Sequence, residues 1–334
     1  MQPDPERQRA QELADYWTPF LLRMFGETGI FAAFGREART GAEVAVTTST
    51  DADTLERMLR ALVSRGVFER LDDGRHRLTR LGRRYLTDEP GNVAGLANFK
   101  PWELHAWADA LHTLRTGEPS FARHFGATFW EWLAANPREA ATFNDTMRRR
   151  TASLLDAALP SIDWPEQGTV VDVGGGNGLL LERLLAIRPE LRGVIFDLPH
   201  VVDEARAILD DAGVGDRVEV VGGDFFEAAP PGHDLYVLAS VLHDWQDDDA
   251  VSILGTCRRA MPPSGRLTLF EAVLGTGPEF DLAKMVDLHM LVLFGARERT
   301  RQEWERLLER GGFVLERVTP TPGLSWIEAR PATT

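Results

Sequence analysis

The chain has 334 residues, enough for two domains with a large core, and 43% hydrophobic with 26% charged residues is ordinary for a soluble globular protein. A single cysteine, Cys257, excludes an intrachain disulfide, no apolar run reaches the length of a membrane span, and the polar start of the chain favours a cytoplasmic protein. The net charge of −14 arises entirely after residue 100, because residues 1–100 carry 15 basic and 15 acidic side chains, and nothing in this distribution attracts polyanions.

Two helical patterns and a hairpin pattern fill the first hundred residues. Apolar side chains recur at helical spacing over 12–34, which predicts a helix, and a second, capped amphipathic helix is predicted over 50–63. Segment 66–78 reads as strand, tight turn and strand, which completes a winged-helix shape. Because the region is neutral and acids offset the arginines of the candidate recognition helix, we predict a dimerisation module over 1–100 rather than a DNA-binding one.

Residues 101–160 read as mostly helical and contain a dense set of aromatic side chains. Part of this set must belong to the core, and a flat substrate packed among flat side chains would use the rest. We therefore predict a helical connector that lines a pocket for a small aromatic molecule. The aromatic residues are Trp102, Trp107, Phe121, Phe125, Phe129, Trp130, Trp132 and Phe143.

From residue 161 to the end, apolar strand patterns alternate with helical ones, as a doubly wound, parallel α/β sheet requires. We predict a Rossmann-like domain over 161–334. The last segments, near 313–315 and 326–329, are typical of a closing antiparallel pair. Cys257 lies on a predicted helix over 250–261 and is expected to serve packing.

The first strand of this domain, 169–173, runs into a turn with glycines at Gly174, Gly176 and Gly178. Glycines at a strand-to-helix turn let a ligand approach backbone N–H groups at a helix N-terminus. A dinucleotide fingerprint would require glycine where Leu179 stands, so the spacing weakens an NAD site. The preceding acid, Asp172, suits a cofactor with a positively charged amino-acid end.

Acids also follow the next two strands. Asp197 ends the second strand and can accept hydrogen bonds from a ribose diol. Asp224 ends the third strand, where it could accept from an adenine amino group while Phe225 lies on the ring. Three acids at three successive strand ends, with Asp172 the first, fit S-adenosylmethionine better than NAD.

The fourth strand, 235–240, is followed by His243, Asp244 and Trp245. An imidazole at the carboxyl end of a strand, beside the cofactor crevice, is well placed as a general base. Glu271 ends the fifth strand, and Glu298 lies in the loop before a helix that starts near residue 301; both could orient His243 and stabilise its charged form. No Cys/His/Asp cluster has the ligand spacing of a zinc site, so no metal is expected.

These motifs together resemble the S-adenosylmethionine-dependent O-methyltransferases of the plant caffeic acid type, and above all their bacterial relatives in aromatic polyketide and antibiotic biosynthesis. The resemblance extends over nearly the whole chain. The motifs that carry it are Asp172-Val-Gly-Gly-Gly-Asn-Gly178, Phe196-Asp-Leu-Pro199, Gly223-Asp-Phe-Phe226, Leu242-His-Asp-Trp245 and Glu298-Arg-Thr300.

The resemblance implies a homodimer that exchanges contacts through its winged-helix domain, a small aromatic substrate and S-adenosylmethionine as methyl donor. It implies His243 as the base, flanked by Glu271 and Glu298. The residues predicted to bind the cofactor are Asp172, Gly174, Gly176, Gly178, Asp197, Leu198, Asp224, Phe225, Ser240, Asp244 and Trp245. Those in stretches that line the family's substrate pocket are Met147, Met285, His289, Met290 and Phe294, although plain packing explains each methionine equally well.

The predicted reaction is in-line methyl transfer, with His243 taking the proton from a phenolic or similar hydroxyl. A phenol near pKa 10 and an imidazole near 6.5 differ by roughly 5 kcal/mol, so full deprotonation before attack would be costly. Two other readings stay open at this point: a methyltransferase-like enzyme with non-methylating chemistry (hydroxylation, decarboxylation or cyclisation), and a winged-helix regulator that senses a small molecule. The first would be favoured by a missing base, and this chain has His243.

Overall fold

The structure, a computed structural model, describes residues 4–321 and 323–333. The chain divides into two compact units, Met1–Leu104 and His105–Thr334. Within the described residues, no helix combines the length and hydrophobicity that a membrane-spanning segment requires.

The first unit is a small helical domain that contains a two-stranded hairpin. Its core is formed by apolar side chains of α2 to α5 and of the hairpin. The strands pair antiparallel, with Phe68 opposite Leu78. Its elements are α1 Pro5–Leu13, α2 Trp17–Glu27, α3 Ile30–Phe34, α4 Gly41–Thr48, α5 Ala52–Ser64, β1 Phe68–Arg70, β2 His76–Leu78 and α6 Arg80–Arg83, and α7 Pro101–Ala108 spans the boundary between the units.

The prediction of one helix over 12–34 is wrong, because three helices occupy this stretch. The Asp15 carboxylate accepts hydrogen bonds from the backbone N–H groups of Trp17 and Thr18 and so begins α2 after a break. Gly29, with a left-handed φ of 73°, breaks the helical conformation a second time, just before α3. Apolar periodicity marks which side chains share a face, and it does not reveal these breaks.

The second unit combines four helices with a seven-stranded sheet and its crossover helices. The elements before the sheet are α8 Ala110–Thr116, α9 Ser120–Phe125, α10 Phe129–Ala135 and α11 Pro137–Ala158. The sheet region contains β3 Gly168–Val173, α12 Leu179–Ile187, β4 Leu191–Asp197, α13 Pro199–Asp211, β5 Val218–Gly222, β6 Leu235–Ala239, α14 Asp247–Ala260, β7 Arg266–Glu271, β8 Val273–Leu274, α15 Leu282–Phe294, β9 Arg299–Thr300, α16 Arg301–Arg310, β10 Phe313–Pro320 and β11 Ser325–Pro331.

The strand order of the sheet is β10-β11-β7-β6-β3-β4-β5. The five strands β3 to β7 are parallel, and β11 and β10 close one edge antiparallel. This arrangement confirms the predicted doubly wound sheet with a closing pair. The order reverses beside β3, because β4 lies on one side and β6 on the other, and ligands of open α/β sheets bind at such a switch point.

Both faces of the sheet are buried, which explains the continuous apolar runs of its strands. Along β3, Val170 packs in the cluster that contains side chains of α11, α12 and α13, whereas Val171 and Val173 pack in the cluster that contains α14 and α16. Cys257 lies buried in the second of these clusters, as its predicted packing role requires. The carboxyl ends of β3, β4 and β6 are thereby fixed along one edge of the sheet.

Candidate active site

The glycine turn after β3 is held against the end of β4 by backbone hydrogen bonds. Gly174 N–H donates to the Phe196 carbonyl at 2.8 Å, and Gly176 N–H donates to the Asp197 carboxylate at 2.9 Å. Gly174, Gly176 and Gly178 all have positive φ, which favours glycine at each position. A Cβ added at Gly176 would meet no atom within 4 Å, so this part of the turn is open to a ligand.

Asp172 lies buried beneath this turn, and its Oδ2 has no hydrogen-bond partner among the described residues. Burial, with a smaller contribution from Asp197, raises the pKa of Asp172 to about 7. A buried carboxylate without a donor is unfavourable unless a cation or donor reaches it. The amino-acid end of S-adenosylmethionine carries such a cation, so the residues present fit this group.

The other two strand ends supply a polar and an aromatic wall. The second Asp197 oxygen accepts a hydrogen bond from the N–H of Leu198, a half-exposed residue that follows β4. After β5, Asp224 accepts from the Phe226 N–H, and the Phe225 ring lies edge-on to Trp245 with 5.9 Å between ring centroids. Asp197 and Phe225 thus lie beside the glycine turn, since a Cβ added at Gly174 would meet the Phe225 ring at 3.7 Å as well as the Val241 side chain at 2.9 Å.

The chain leaves β6 through Ser240, which has φ 55° although it is not a glycine. Such a conformation costs about 1–3 kcal/mol and persists only where surrounding contacts enforce it. The Ser240 N–H donates to the Phe270 carbonyl on neighbouring β7 at 3.0 Å. This sharp exit starts the short helical turn Leu242–Asp244, on which His243 lies.

His243 is held at one ring nitrogen by a carboxylate. Its Nδ1 lies 3.0 Å from Glu298 Oε1 and 3.9 Å from Glu271 Oε2, and its Nε2 lies 3.6 Å from Asp244 Oδ1. A carboxylate can only accept a hydrogen bond, so Nδ1 carries the proton in this pair. Nε2 is then the nitrogen that can accept a proton from a substrate.

The acids around His243 change its protonation. Burial by itself would lower its pKa, but Glu271, Asp244 and Glu298 outweigh burial and raise the pKa of His243 to about 10. Burial raises the pKa of Glu271 to about 7, against the lowering effect of His243. Burial also raises the pKa of Asp244. The group therefore stabilises an imidazolium, the form that a general base adopts after it has taken a proton.

The two glutamates have different contacts. Glu298 makes the direct hydrogen bond to the ring, whereas Glu271 Oε1 accepts the backbone N–H groups of Val241 and Leu242 at 3.0 and 2.9 Å. Glu271 thus fixes the turn that carries His243 and reaches the ring only as a nearby charge. Sequence reasoning placed both acids beside His243 and did not distinguish these two roles.

Within the described part of the chain, one group of side chains could hold a metal ion. It consists of His243, Glu271 and Glu298, whose ligand atoms all lie within 4.8 Å of one another. A metal bound at Nδ1 would require that nitrogen without its proton. The 3.0 Å contact with Glu298 is instead the length of an ordinary N–H···O hydrogen bond, which favours the acid–base reading.

Four of the five predicted substrate residues lie on α15. Met285 is half-exposed and Met290 is buried, so the helix presents one methionine outward and packs the other. The His289 ring accepts a hydrogen bond at Nδ1 from Trp107 Nε1 at 3.1 Å. The Phe294 ring packs with those of Phe129 and Trp130, at 4.7 and 5.8 Å between centroids. The aromatic helices and α15 therefore adjoin.

The fifth predicted substrate residue, Met147, lies on α11 and is partly buried. Its assignment to the substrate pocket stays a prediction.

Two residues that sequence reasoning missed also support the base. Asp287, on α15, accepts the Glu298 N–H at 2.8 Å. Arg299 is fully buried and donates to the Leu242 and Trp245 carbonyls on the turn that carries His243. Arg299 belongs to the motif Glu298-Arg-Thr300, and its place in that motif is the only feature of the sequence that pointed to it.

Comparison with known proteins gives two family matches. The O-methyltransferase domain model matches residues 105–314, and the O-methyltransferase dimerisation domain model matches residues 11–88. The chain is 40% identical to the phenazine O-methyltransferase PhzM of Lysobacter antibioticus, over 96% of this chain and 95% of that protein.

A solved structure of CalO1, a methyltransferase in calicheamicin biosynthesis in its SAH-bound form, is similar with a TM-score of 0.85 and 34% identity, and covers 98% of each chain. The aclacinomycin 10-hydroxylase RdmB of Streptomyces purpurascens is 34% identical over 91% of this chain and 83% of that protein. Proteins named for different reactions, O-methylation and hydroxylation, are thus similar in sequence to this chain.

Proposed function

The chain belongs to the S-adenosylmethionine-dependent O-methyltransferase family, and from this membership we propose that it methylates a phenolic or similar hydroxyl of a small aromatic natural product. The observation that carries the proposal is the imidazole of His243, hydrogen-bonded at Nδ1 to Glu298 at 3.0 Å, on the turn that follows β6, the neighbour of β3 in the sheet. The acceptor pocket is proposed to lie among the aromatic helices of residues 105–160 and α15.

The proposed cofactor residues fit the donor by their chemistry. Asp172 offers a buried carboxylate without a donor, and Gly176 leaves open space above the turn. Asp197 and Asp224 offer further acceptor oxygens at the ends of β4 and β5. The ring of Phe225 supplies a flat apolar surface beside them. When bound, S-adenosylmethionine supplies a methyl group made electrophilic by a positively charged sulfonium.

His243 is proposed to accept the acceptor's hydroxyl proton at Nε2, while Glu298 holds the Nδ1 proton. A phenol has a pKa near 10. The carboxylates raise the pKa of His243 to about 10, so proton transfer from phenol to imidazole is nearly balanced in free energy. The gap of several kcal/mol expected for an ordinary imidazole is thereby removed.

That advantage has a consequence for the working pH. With a pKa of about 10, His243 is mostly imidazolium at neutral pH, and only the neutral ring can accept a proton. Turnover should therefore rise with pH from neutrality towards 10. Alignment of the hydroxyl oxygen by the turn and by α15 supplies the remaining rate enhancement in this proposal.

The test is a methyl-transfer assay with isotopically labelled S-adenosylmethionine and a panel of phenolic acceptors, comparing the wild type with His243→Ala. We expect the variant to lose about 100-fold or more in turnover, with the affinity for S-adenosylhomocysteine within about twofold of wild type by calorimetry. His233→Ala, at the opposite end of β6, is the matched control and should leave turnover unchanged. Equal turnover in His243→Ala and wild type would refute the base assignment.

The hydroxylase relative makes a second outcome informative. If a panel acceptor is consumed without transfer of label, and the product gains oxygen by mass spectrometry, the chain shares that relative's type of reaction instead. Binding of S-adenosylhomocysteine would occur in both cases, so the fate of the label decides between them.

A further inference from the structure

Arg299 lies beside the catalytic group but touches neither the imidazole nor its two glutamates. Its guanidinium is fully buried and makes four hydrogen bonds. Nη1 donates to the Leu242 carbonyl at 3.0 Å and Nη2 to the Trp245 carbonyl at 2.9 Å. Nε and Nη2 both donate to Asp247 Oδ1, at 3.1 and 2.9 Å.

These acceptors enclose His243 in the chain. Leu242 precedes it, and Trp245 and Asp247 follow, so one rigid, planar side chain bridges both sides of the residue. At the end of the turn Leu242–Asp244, the Leu242 carbonyl also accepts the Trp245 N–H, at 3.3 Å. A buried cation at that end donates to both the Leu242 and the Trp245 carbonyl and complements their partial negative charge.

The neighbours of Arg299 hold the same turn. The Arg297 N–H donates to the His243 carbonyl at 3.1 Å, and the Glu298 carboxylate holds the His243 ring. Arg299 itself is anchored in two ways: its backbone pairs with Val273 in the short β8–β9 ladder, and its guanidinium lies over the Trp304 ring at 5.2 Å. Three consecutive residues thus fix the backbone, the ring and the flanks of the base.

We propose that Arg299 is a positioning residue, which clamps the Leu242–Asp247 loop so that the His243 ring keeps the orientation needed to accept a proton at Nε2. This inference rests on the proposed function of His243 as the base. Loss of the clamp removes one of the two donors to the Leu242 carbonyl and the Arg299 donor to the Trp245 carbonyl, in a buried or partly buried place, and the loop must move to reach water. A displacement of about 1 Å at a catalytic group can cost about 100-fold in rate.

The experiment compares Arg299→Met with Arg217→Met. Arg217 is a matched control because its guanidinium also donates to several backbone carbonyls of the same unit, those of Leu185, Arg188, Pro189 and Leu191. That site lies at the start of β5, at the opposite end of the strands from His243. A loss of stability that acts on turnover only through unfolding should therefore appear in both variants.

We expect Arg299→Met to lower kcat about 10- to 100-fold, with the KM for the acceptor and the affinity for S-adenosylhomocysteine within about twofold of wild type. Arg217→Met should keep wild-type kcat per folded molecule. Arg299→Lys should recover part of the loss, since an ammonium group can still donate to one or two of the acceptors.

A second readout does not depend on turnover. In protein labelled with ¹⁵N-histidine, the ring nitrogen signals of His243, assigned by their loss in His243→Gln, report its tautomer and its hydrogen bond to Glu298. We expect these signals to shift or broaden in Arg299→Met and to stay in place in Arg217→Met. This result would support the clamp even if no acceptor were methylated, which separates it from failure of the proposed function.

Wild-type kcat and unchanged His243 signals in a folded Arg299→Met would overturn the proposal. So would a fall in kcat that is matched by Arg217→Met at equal loss of thermal stability. If Arg299→Met does not fold, Arg299→Lys takes its place in both measurements, and unchanged kcat and unchanged ring signals in that variant would likewise refute the clamp.

Discussion

The Glu298→Gln substitution isolates the charge that the structure places 3.0 Å from the Nδ1 of His243. The amide keeps the size of the side chain and an oxygen that can still accept the Nδ1 proton, so the main change is the loss of a negative charge. A hydrogen bond to a charged group contributes about 1.5–3 kcal/mol. A neutral hydrogen bond still contributes about 0.5–1.5 kcal/mol, so about 1–1.5 kcal/mol is lost. Since 1.36 kcal/mol corresponds to a tenfold change in rate, the limiting kcat/KM at high pH should fall about 5- to 13-fold.

The pH profile gives a sharper result than a single rate. Glu298 is one of the acids that raise the pKa of His243 to about 10, so its neutralisation should move the midpoint of kcat/KM to lower pH. More of the base is then neutral near pH 7, where the profiles of variant and wild type should converge. The assay is initial-rate methyl transfer from pH 6 to 10.5, with two acceptors whose hydroxyl groups ionise at different pH values.

The two acceptors separate the ionisation of the enzyme from that of the substrate, because only the midpoint of His243 is common to both profiles. Glu305→Gln is the matched control: Glu305 forms an exposed ion pair with Arg301 on α16, and loss of such a pair costs at most about 1 kcal/mol of stability. A Glu298→Gln profile lowered equally at every pH, with an unmoved midpoint, would refute the electrostatic role given to this acid.

Three further predictions concern the fold, the cofactor and the assembly. Because burial and Asp197 raise the pKa of Asp172 to about 7, the folded state loses stability as pH rises from about 4 to 7. Asp172→Asn removes that loss. The free energy of unfolding by urea, taken as variant minus wild type, should therefore be larger at pH 8 than at pH 4.5 by about 3 kcal/mol. A pH-independent difference would contradict the raised pKa. Asp197→Ala should weaken S-adenosylhomocysteine binding about tenfold or more by calorimetry, since it removes both acceptor oxygens at the end of β4, and unchanged affinity would remove Asp197 from the site. On α2, the apolar side chains of Trp17, Phe20 and Met24 are exposed within the matched dimerisation domain. Phe20→Asp should therefore convert a dimer into monomers, as measured by light scattering, and Val46→Asp, another exposed apolar position, serves as the control. A Phe20→Asp protein that stays dimeric would place the dimer contact elsewhere.

Much of the cofactor edge was predictable because parallel strands place their carboxyl ends along one edge of a sheet. Once β3, β4 and β5 were recognised, the positions of Asp172, Asp197 and Asp224 followed from the sheet itself. The glycine turn was equally readable, since positive φ at a strand-to-helix turn favours glycine. These features depend on local pattern and on regular geometry.

The support of the base was not predictable in the same way. Glu271 and Glu298 are separated by a helix and a short ladder, and their spacing does not reveal which of them reaches the ring and which binds the backbone. Arg299 became visible only when β9 paired with β8 and turned its side chain beneath the loop of His243. Such roles depend on long-range packing, which periodicity does not encode.

The order of these contacts along the chain sets a boundary for exchanging parts between relatives. The residues that fix the base, Arg297 to Arg299, begin two positions after Gly295, the left-handed residue that ends α15. A chimera that replaces α15 and rejoins the chain at Gly295 would alter the wall proposed for the acceptor while the residues that hold His243 stay native, provided that position 287 remains Asp to receive the Glu298 N–H. Acceptor choice and proton transfer thus depend on two segments that are adjacent in the chain and can be exchanged separately.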